Sequence, residues 1–411
     1  MYVDLNKSLT DEQKLLKQSM HEFARDVMRP ASIAMDKMTP AETIAEGSPM
    51  WDVFRRAYEQ GIHLRGFPEA VGGAAFGPLE SHIVNEEFGW GSAGLAIALA
   101  VCSFPFAFAM GRRDPQIMEE IVNPFLNDRQ GKYIGCWAIT EPGHGSDTLM
   151  PGTKFHTDEK IFWGLTATAD GDDYIINGQK SAWVSNGTIA THALAFLGVD
   201  RSKGMAGGGV AIIPLNLPGV SKGAPLNKIG QRALNQGEIF FDSVRIPKTY
   251  MLVPPEAYTG AIDAVLAGAN AYMGSTFTGV ARAAFEEALT YARDRIQGGV
   301  PIVEHQLVQK KLFDMFVKVE TARQISRATL VYNQGQFPPG TVYSISSKVY
   351  CTQAAFEVAS DAIQIHGGMG LTKELLVEML FRDARASMIE DGSNDILSLT
   401  AAKKIIDTYA P

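Results

Sequence analysis

The sequence predicts an α+β protein: an N-terminal helical domain over residues 1–130, a central β-domain over 131–252 and a C-terminal helical bundle over 253–411. Three observations carry this expectation. The chain has 411 residues, more than the roughly 250–300 that one core usually serves, so two or three packed units are expected. Apolar residues recur at helical spacing at both ends, whereas the middle of the chain alternates with a strand period. The hydrophobic share of 46% and charged share of 20% are those of a soluble globular protein.

Charge and cysteine content narrow the class. A net charge of −8 argues against nucleic acid as the main partner. Cys102, Cys136 and Cys351 are widely spaced and form neither a disulfide framework nor a metal pattern. A reduced, cytoplasmic setting is the expectation. The opening residues Met1–Lys7 carry no basic and apolar leader, so no secretory signal is read there.

In the first segment, Ser8-Leu9-Thr10-Asp11-Glu12 reads as a capped helix start, with Leu15, Leu16, Met20, Phe23 and Val27 at helical spacing and Pro30 as its stop. Glu86 and Glu87 read as a solvated helix face. The apolar run from Gly94 to Gly111 is short for a membrane span and contains Pro105, so it reads as a buried core helix ending near that proline.

From Tyr133 to Leu252, the runs Tyr174–Asn177, Ala193–Leu197 and Gly209–Pro214 alternate and are separated by Gly, Asp and Asn, the pattern of strands and turns. From Ala261 on, Gly279–Ala288 and Leu307–Met315 carry the apolar stripe of a four-helix bundle. There is no internal repeat, no cluster with metal-ligand spacing and no Gly-x-Ser-x-Gly elbow, so metal and serine hydrolase chemistry find no support.

The chemistry-bearing stretch lies near the end. It contains Gln364-Ile365-His366-Gly367-Gly368-Met369-Gly370, then Arg382-Asp383-Ala384-Arg385, then Glu390-Asp391-Gly392-Ser393-Asn394-Asp395. A Gly-Gly turn lets backbone approach a flat ligand closely. An acid pair before Gly-Ser places a carboxylate on an abrupt turn, where proton abstraction next to a carbonyl would need it.

In order, these motifs resemble the C-terminal signature of the flavin-dependent acyl-CoA dehydrogenase superfamily. The resemblance recurs at Thr140-Glu141-Pro142-Gly143-His144-Gly145-Ser146-Asp147, at Gly178-Gln179-Lys180-Ser181-Ala182-Trp183-Val184-Ser185-Asn186 and at Phe241-Asp242-Ser243-Val244-Arg245-Ile246-Pro247, and so covers nearly the whole chain. It implies a small β-barrel between two helical domains, FAD as cofactor, an acyl-CoA substrate, an electron-transfer flavoprotein as acceptor and a homotetramer.

By the same resemblance, Trp137, Ala138, Ile139, Thr140 and Ser146 supply donors to the flavin, and Trp183, Val184 and Ser185 flank its ring. Arg295 and Gln297 are expected to reach the pyrophosphate of a neighbouring subunit's flavin, with His305, Gln306, Gln364, Gly367 and Gly368 on its adenosine half. Ser393 and Asp395 complete the expected cofactor contacts. Ser146, Asn270 and Gly392 are the expected substrate contacts. Asp391 is the expected base, taking the proton α to the thioester while the β-hydrogen leaves as hydride to flavin N5. Glu390 is the alternative base, although its register is normally aromatic.

Several positions depart from the family pattern. Aspartate stands in place of the usual glutamate base, shorter by one methylene or about 1–1.5 Å, and a misplacement of about 1 Å can cost roughly a hundredfold in rate. A closer or bulkier acyl group, alicyclic or aryl-substituted, would restore the reach. Leu95 falls where an arginine for a dicarboxylic acyl chain is expected, which implies an apolar pocket. Asn270 and Ala267 replace an arginine and an acid expected toward coenzyme A, and Gly298 replaces a phenylalanine. Pro151–Gly164 reads as an insertion, either a longer hairpin or an aromatic lid, and His144 stands where a small residue is usual. The aspartate, the Gly-Gly at Gly298 in place of Phe-Gly and the insertion also resemble the nitroalkane oxidase branch, although Ser398 replaces its arginine. A non-catalytic flavin-binding scaffold is the remaining alternative.

Overall fold

The computed structural model describes residues 9–151, 153–336 and 339–410. The opening residues Met1–Lys7 and the cap residue Ser8 lie outside the described residues.

Helix α1 (Asp11–Phe23) starts where the sequence places its cap. Thr10 accepts from the Gln13 backbone and the Gln13 side chain returns to the Thr10 N–H, a reciprocal capping box. Pro30 does not end the helical run. A π turn over Ala24–Met28 lets the Arg29 N–H bond the Ala24 carbonyl, and α2 (Arg29–Asp36) continues with the proline in its first turn. The wider π turn just before it is where the run takes up a residue that has no N–H to donate.

Three longer helices follow: α3 (Pro49–Glu59), α4 (Pro78–Gly91) and α5 (Ala93–Met110). The last is long and apolar enough to cross a membrane, yet 61% of it is buried inside the protein. It also runs through Pro105 rather than stopping there. Packing explains this. A Cβ on Gly135 would lie 2.5 Å from Pro105 Cδ and 2.6 Å from the Cys102 carbonyl, so only a glycine strand lets this helix seat against the sheet.

The middle of the chain forms one eight-stranded mixed sheet. Its strands are β1 (Gly135–Ala138), β2 (Thr166–Asp170), β3 (Asp173–Ser185), β4 (His192–Gly198), β5 (Gly208–Pro214), β6 (Val220–Lys222), β7 (Gln236–Pro247) and β8 (Met251–Val253). They bond in the order β6-β7-β3-β1-β4-β5-β8, and β2 pairs with both β3 and β4. The β3–β7 ladder shifts register between Lys180 and Val184. Such a shift leaves Ser181–Trp183 unpaired with β7, and Trp183 is exposed there.

The C-terminal helices are α6 (Pro255–Asp294), α7 (Gln306–Asn333), α8 (Thr341–His366), α9 (Leu376–Ser387) and α10 (Asn394–Thr408). Helix α4 lies against α6 at backbone distance: Cβ atoms on Gly89 and Gly279 would clash with the carbonyls of Thr276 and Glu86. Glu86 and Glu87 are therefore not a solvated face. Both are buried, and Arg282 donates to each of them while Arg323 donates to Glu86. The helical period marks which residues share a face, but the arginines that claim this one arrive roughly 200 positions later. Buried carboxylates without such partners would be strongly disfavoured.

Candidate active site

Strands β1 and β3, the loop after β1, the β6–β7 loop and the turn after α9 converge on one cavity of about 920 Å³. Strand alternation decides which residues face it. Trp137 and Ile139 line the cavity while Ala138, between them, is buried in the core; Ser181, Trp183 and Ser185 line it while Val184 is buried. Side chains of Ala138 and Val184 are thus turned away from the space their neighbours enclose. Trp183 is 56% exposed, its ring standing free over the cavity. Trp137 carries a buried Nε1 donor with no partner among the described residues.

The loop after β1 is held from beneath. Glu141 accepts from the N–H groups of Gly164 and Leu165 at 2.6 and 3.0 Å and from Lys180 Nζ at 2.7 Å. Burial depresses the Lys180 ammonium to about 8 against the pull of its partner Glu141. Above this anchor, Thr140, His144 and Ser146 line the cavity. His144 is pinned, with Nδ1 2.7 Å from Asp147 Oδ2 and Nε2 3.2 Å from the Phe162 carbonyl. In the 151–164 segment, Trp163 is core and donates to the Met205 carbonyl, whereas Phe155 is 63% exposed.

The opposite wall is the turn after α9. Asp391 and Gly392 both take positive φ, +51° and +95°. The glycine tolerates this freely, and aspartate is among the few other residues that do so readily. The Ser393 N–H donates to Ser146 Oγ at 3.0 Å, tying this turn to the loop after β1, and Ser393 then caps α10. Asp391 and Glu390 both line the cavity. Burial raises Asp391 to about 6, opposed by the Lys348 charge. Burial also raises Glu390 to about 7, opposed first by a hydrogen bond from Gln231. No hydrogen bond reaches the Asp391 carboxylate or its backbone N–H among the described residues, whereas Gln231 Nε2 donates to Glu390 Oε2 at 2.7 Å.

The apolar end is formed by Ile97, Leu149 and Met273. Leu95, the residue the sequence points to, is fully buried one half-turn away and is not in the lining. Asn270 is not brought to the cavity either. It is fully buried and outside the lining, its Nδ2 donating to the Leu266 carbonyl one turn back on its own helix, while its Oδ1 has no partner among the described residues. Asp395 is exposed in the first turn of α10, also outside the lining.

A second group of expected contacts gathers elsewhere. Arg295, Gln297, His305, Gln306, Gln364, Gly367 and Gly368 are exposed, and none lines the cavity of their own chain. His305 Nε2 lies 2.9 Å from the Gln297 carbonyl, closing the hairpin after α6, and Tyr291 stacks on His366 at 4.2 Å. The hairpin and the Gly-Gly turn therefore share one end of the bundle.

Sequence reasoning did not find Lys348, Lys228 or Gln231 as site residues. Lys348 Nζ donates to the Gly392 carbonyl, and Lys228, at the cavity wall, donates to Leu234 and Gln236. Each is an ordinary polar residue in its local context. Among the described residues no group of three His, Cys, Asp or Glu side chains is placed to hold a metal.

Comparison with known proteins covers nearly the whole chain. Family models for the N-terminal, middle and C-terminal domains of acyl-CoA dehydrogenase match residues 10–110, 136–244 and 261–406. The mitochondrial short-chain specific acyl-CoA dehydrogenase of Bos taurus is 30% identical over 98% of this chain and 92% of its own. The cyclohexane-1-carbonyl-CoA dehydrogenase of Geobacter metallireducens is 28% identical over 98% and 99%. The structure of butyryl-CoA dehydrogenase from Megasphaera elsdenii superposes with a TM-score of 0.84 at 25% identity, covering 98% of this chain and 100% of that one. A chain from the electron transferring flavoprotein structure of Acidaminococcus fermentans gives 0.85 at 25% identity, covering 99% and 100%.

Proposed function

The chain belongs to the acyl-CoA dehydrogenase family, whose members are FAD-dependent oxidoreductases acting on CH–CH groups, and we propose that Asp391 is the base that removes the α-proton of a bulky, ring-containing acyl-CoA, alicyclic or aryl. The observation that carries this reading is the free Asp391 carboxylate facing the same cavity as the Trp137–Trp183 aromatic wall.

The residues present fit a flavin. Trp183 offers an exposed flat face, Trp137 an unused buried N–H, and Thr140, Ser181 and Ser185 hydroxyls along one side. Bound FAD supplies the acceptor for the hydride that leaves the β-carbon. The chain's own residues do the rest. Burial holds Asp391 near 6, so at neutral pH it is ionised yet basic enough to take a proton. Its N–H, without a partner among the described residues, is a donor for the thioester oxygen, where charge develops as the proton leaves. Ser146 accepts from Ser393 and keeps its own hydroxyl hydrogen for a ligand.

The shorter base supports a substrate whose reacting carbon sits close to the turn. The likeness to a cyclohexane-1-carbonyl-CoA dehydrogenase points the same way. Reoxidation by an electron-transfer flavoprotein, and a neighbouring subunit that brings its Arg295–Gln297 hairpin and Gly367–Gly368 turn to the cofactor, complete the proposal.

The test is anaerobic mixing with straight-chain, alicyclic and aryl acyl-CoA esters, with nitroethane as control, while the flavin band is followed. Bleaching by alicyclic esters in preference to straight chains is expected. Bleaching by nitroethane alone would replace this reading with the oxygen-using one. That alternative draws on Asn270, which stands where an arginine toward coenzyme A is expected and is fully buried outside the cavity lining.

A further inference from the structure

The cavity wall holds a buried acceptor that neither the proton abstraction nor the flavin contacts use. Gln231 is 1% exposed and lies in the cavity wall. Its Nε2 sits between two oxygens, 2.7 Å from Glu390 Oε2 and 3.2 Å from the Asp383 carbonyl. Two acceptors on one side fix the orientation of the amide, because the flipped form would set oxygen against oxygen. The other atom, Oε1, is buried without a partner among the described residues. An unpaired buried carbonyl is unfavourable, and the usual resolution is a donor from water or ligand.

The backbone is committed to this arrangement. Gln231 takes a left-handed φ of +49°, and its N–H donates to Asp383 Oδ1 at 2.5 Å. Non-glycine residues in that region persist only where the surroundings over-determine them, typically around ligands. Glu390, held by this amide, is the chain neighbour of the base. Consecutive Cα atoms lie about 3.8 Å apart, and Gln231, Glu390 and Asp391 line the same cavity, so the pair stands beside the turn that carries the base.

We infer that Gln231 and Glu390 form a polar subsite that selects an acyl group bearing a hydroxyl, which donates to Gln231 Oε1 and lies against the Glu390 carboxyl. The inference rests on the reading of this cavity as the acyl site. A neutral hydroxyl suits the surroundings better than an ammonium, because Lys228 already lies at this wall with its ammonium committed to Leu234 and Gln236.

The experiment compares kcat/KM for anaerobic flavin reduction by cyclohexane-1-carbonyl-CoA, by its ring-hydroxylated counterparts and by an amino-substituted ester. It uses the wild type, Gln231→Met and Glu390→Leu. The wild type should favour one hydroxylated ester by at least about tenfold, as sites built to bond a substrate hydroxyl do. Both variants should bring that ratio to within about twofold of one, whatever their rate with the unsubstituted ester. A wild-type ratio at or below one, a ratio that survives both substitutions, or a preference for the amine would overturn the subsite. So would variants that lose FAD affinity and leave the ratio unchanged, which would give the pair to the cofactor. Failure of every acyl-CoA to bleach the flavin would instead sink the parent reading.

Discussion

Lys348 Nζ donates to the Gly392 carbonyl and to Asn394 Oδ1, each at 2.8 Å, so a buried ammonium grips the turn that carries Asp391 from behind. The contact does two things at once. It fixes the backbone that aims the carboxylate, and its charge draws Asp391 down against the upward push of burial. Lys348 is itself depressed to about 8 by burial, opposed by Asp391 and then Glu390.

Replacing Lys348 by methionine should therefore raise the Asp391 pKa above about 6. The base would then be protonated over a wider range, and the acid limb of kcat/KM would move to higher pH. Each unit of movement is worth about tenfold in rate below the limb. The orphaned Gly392 and Asn394 acceptors should also destabilise the fold by about 1–3 kcal/mol. A pH profile of flavin reduction separates the two effects. An acid limb that stays in place with a lowered plateau would leave Lys348 a purely structural role.

Asp391→Asn should keep the fold and the flavin, since asparagine accepts the left-handed conformation as readily as aspartate. It should lower substrate reduction by roughly 10²–10⁴, the usual worth of a positioned base. Asp391→Glu is the sharper variant. Its extra methylene, about 1–1.5 Å, should lose on the order of a hundredfold with the preferred substrate. An active Asn variant would move the base to Glu390.

Gly135→Ala probes the seat of the core helix. The added methyl would lie 2.5 Å from Pro105 Cδ and 2.6 Å from the Cys102 carbonyl, both rigid. Overpacking of this kind usually costs about 1–3 kcal/mol, so a clear drop in melting temperature is expected. The cavity-lining loop after β1 begins four residues later, and looser FAD binding should accompany the drop. An unchanged melting temperature would show that the helix can shift without loss.

The two prolines show where local sequence rules ended. Pro30 and Pro105 each read as a helix stop, yet one is absorbed by a π turn and the other is seated on a glycine strand far along the chain. Trp183 and Asp391 were legible because each sits inside a motif. That Val184 and Ala138 turn away from the cavity follows from strand alternation once the register is known. Lys348 and Gln231 had no such signal. They meet the turn from 44 and about 160 residues earlier, and only folding brings them there. Glu86 and Glu87 misled for the same reason, since their arginines are equally remote in sequence.

Asp383 gives a stability test with a defined sign. It is buried beneath Gln231, and burial raises its carboxyl to about 7, opposed first by the Gln231 N–H. Below the unfolded value of 3.8 both states hold the proton. Between there and about 7 the folded protein keeps a proton that the unfolded chain has released. Unfolding then releases a proton, so this group's contribution to stability is full at low pH and is lost as pH rises through the window. The total change is at most about 4 kcal/mol for a shift of this size. Asp383→Asn keeps an acceptor for the Gln231 N–H but cannot titrate. The variant should melt below the wild type at pH 5, and the gap should narrow or reverse by pH 8. Melting curves that run parallel across that range would mean that Asp383 ionises like a solvent-exposed carboxylate, and that the wall holding Gln231 is wetter than its burial indicates.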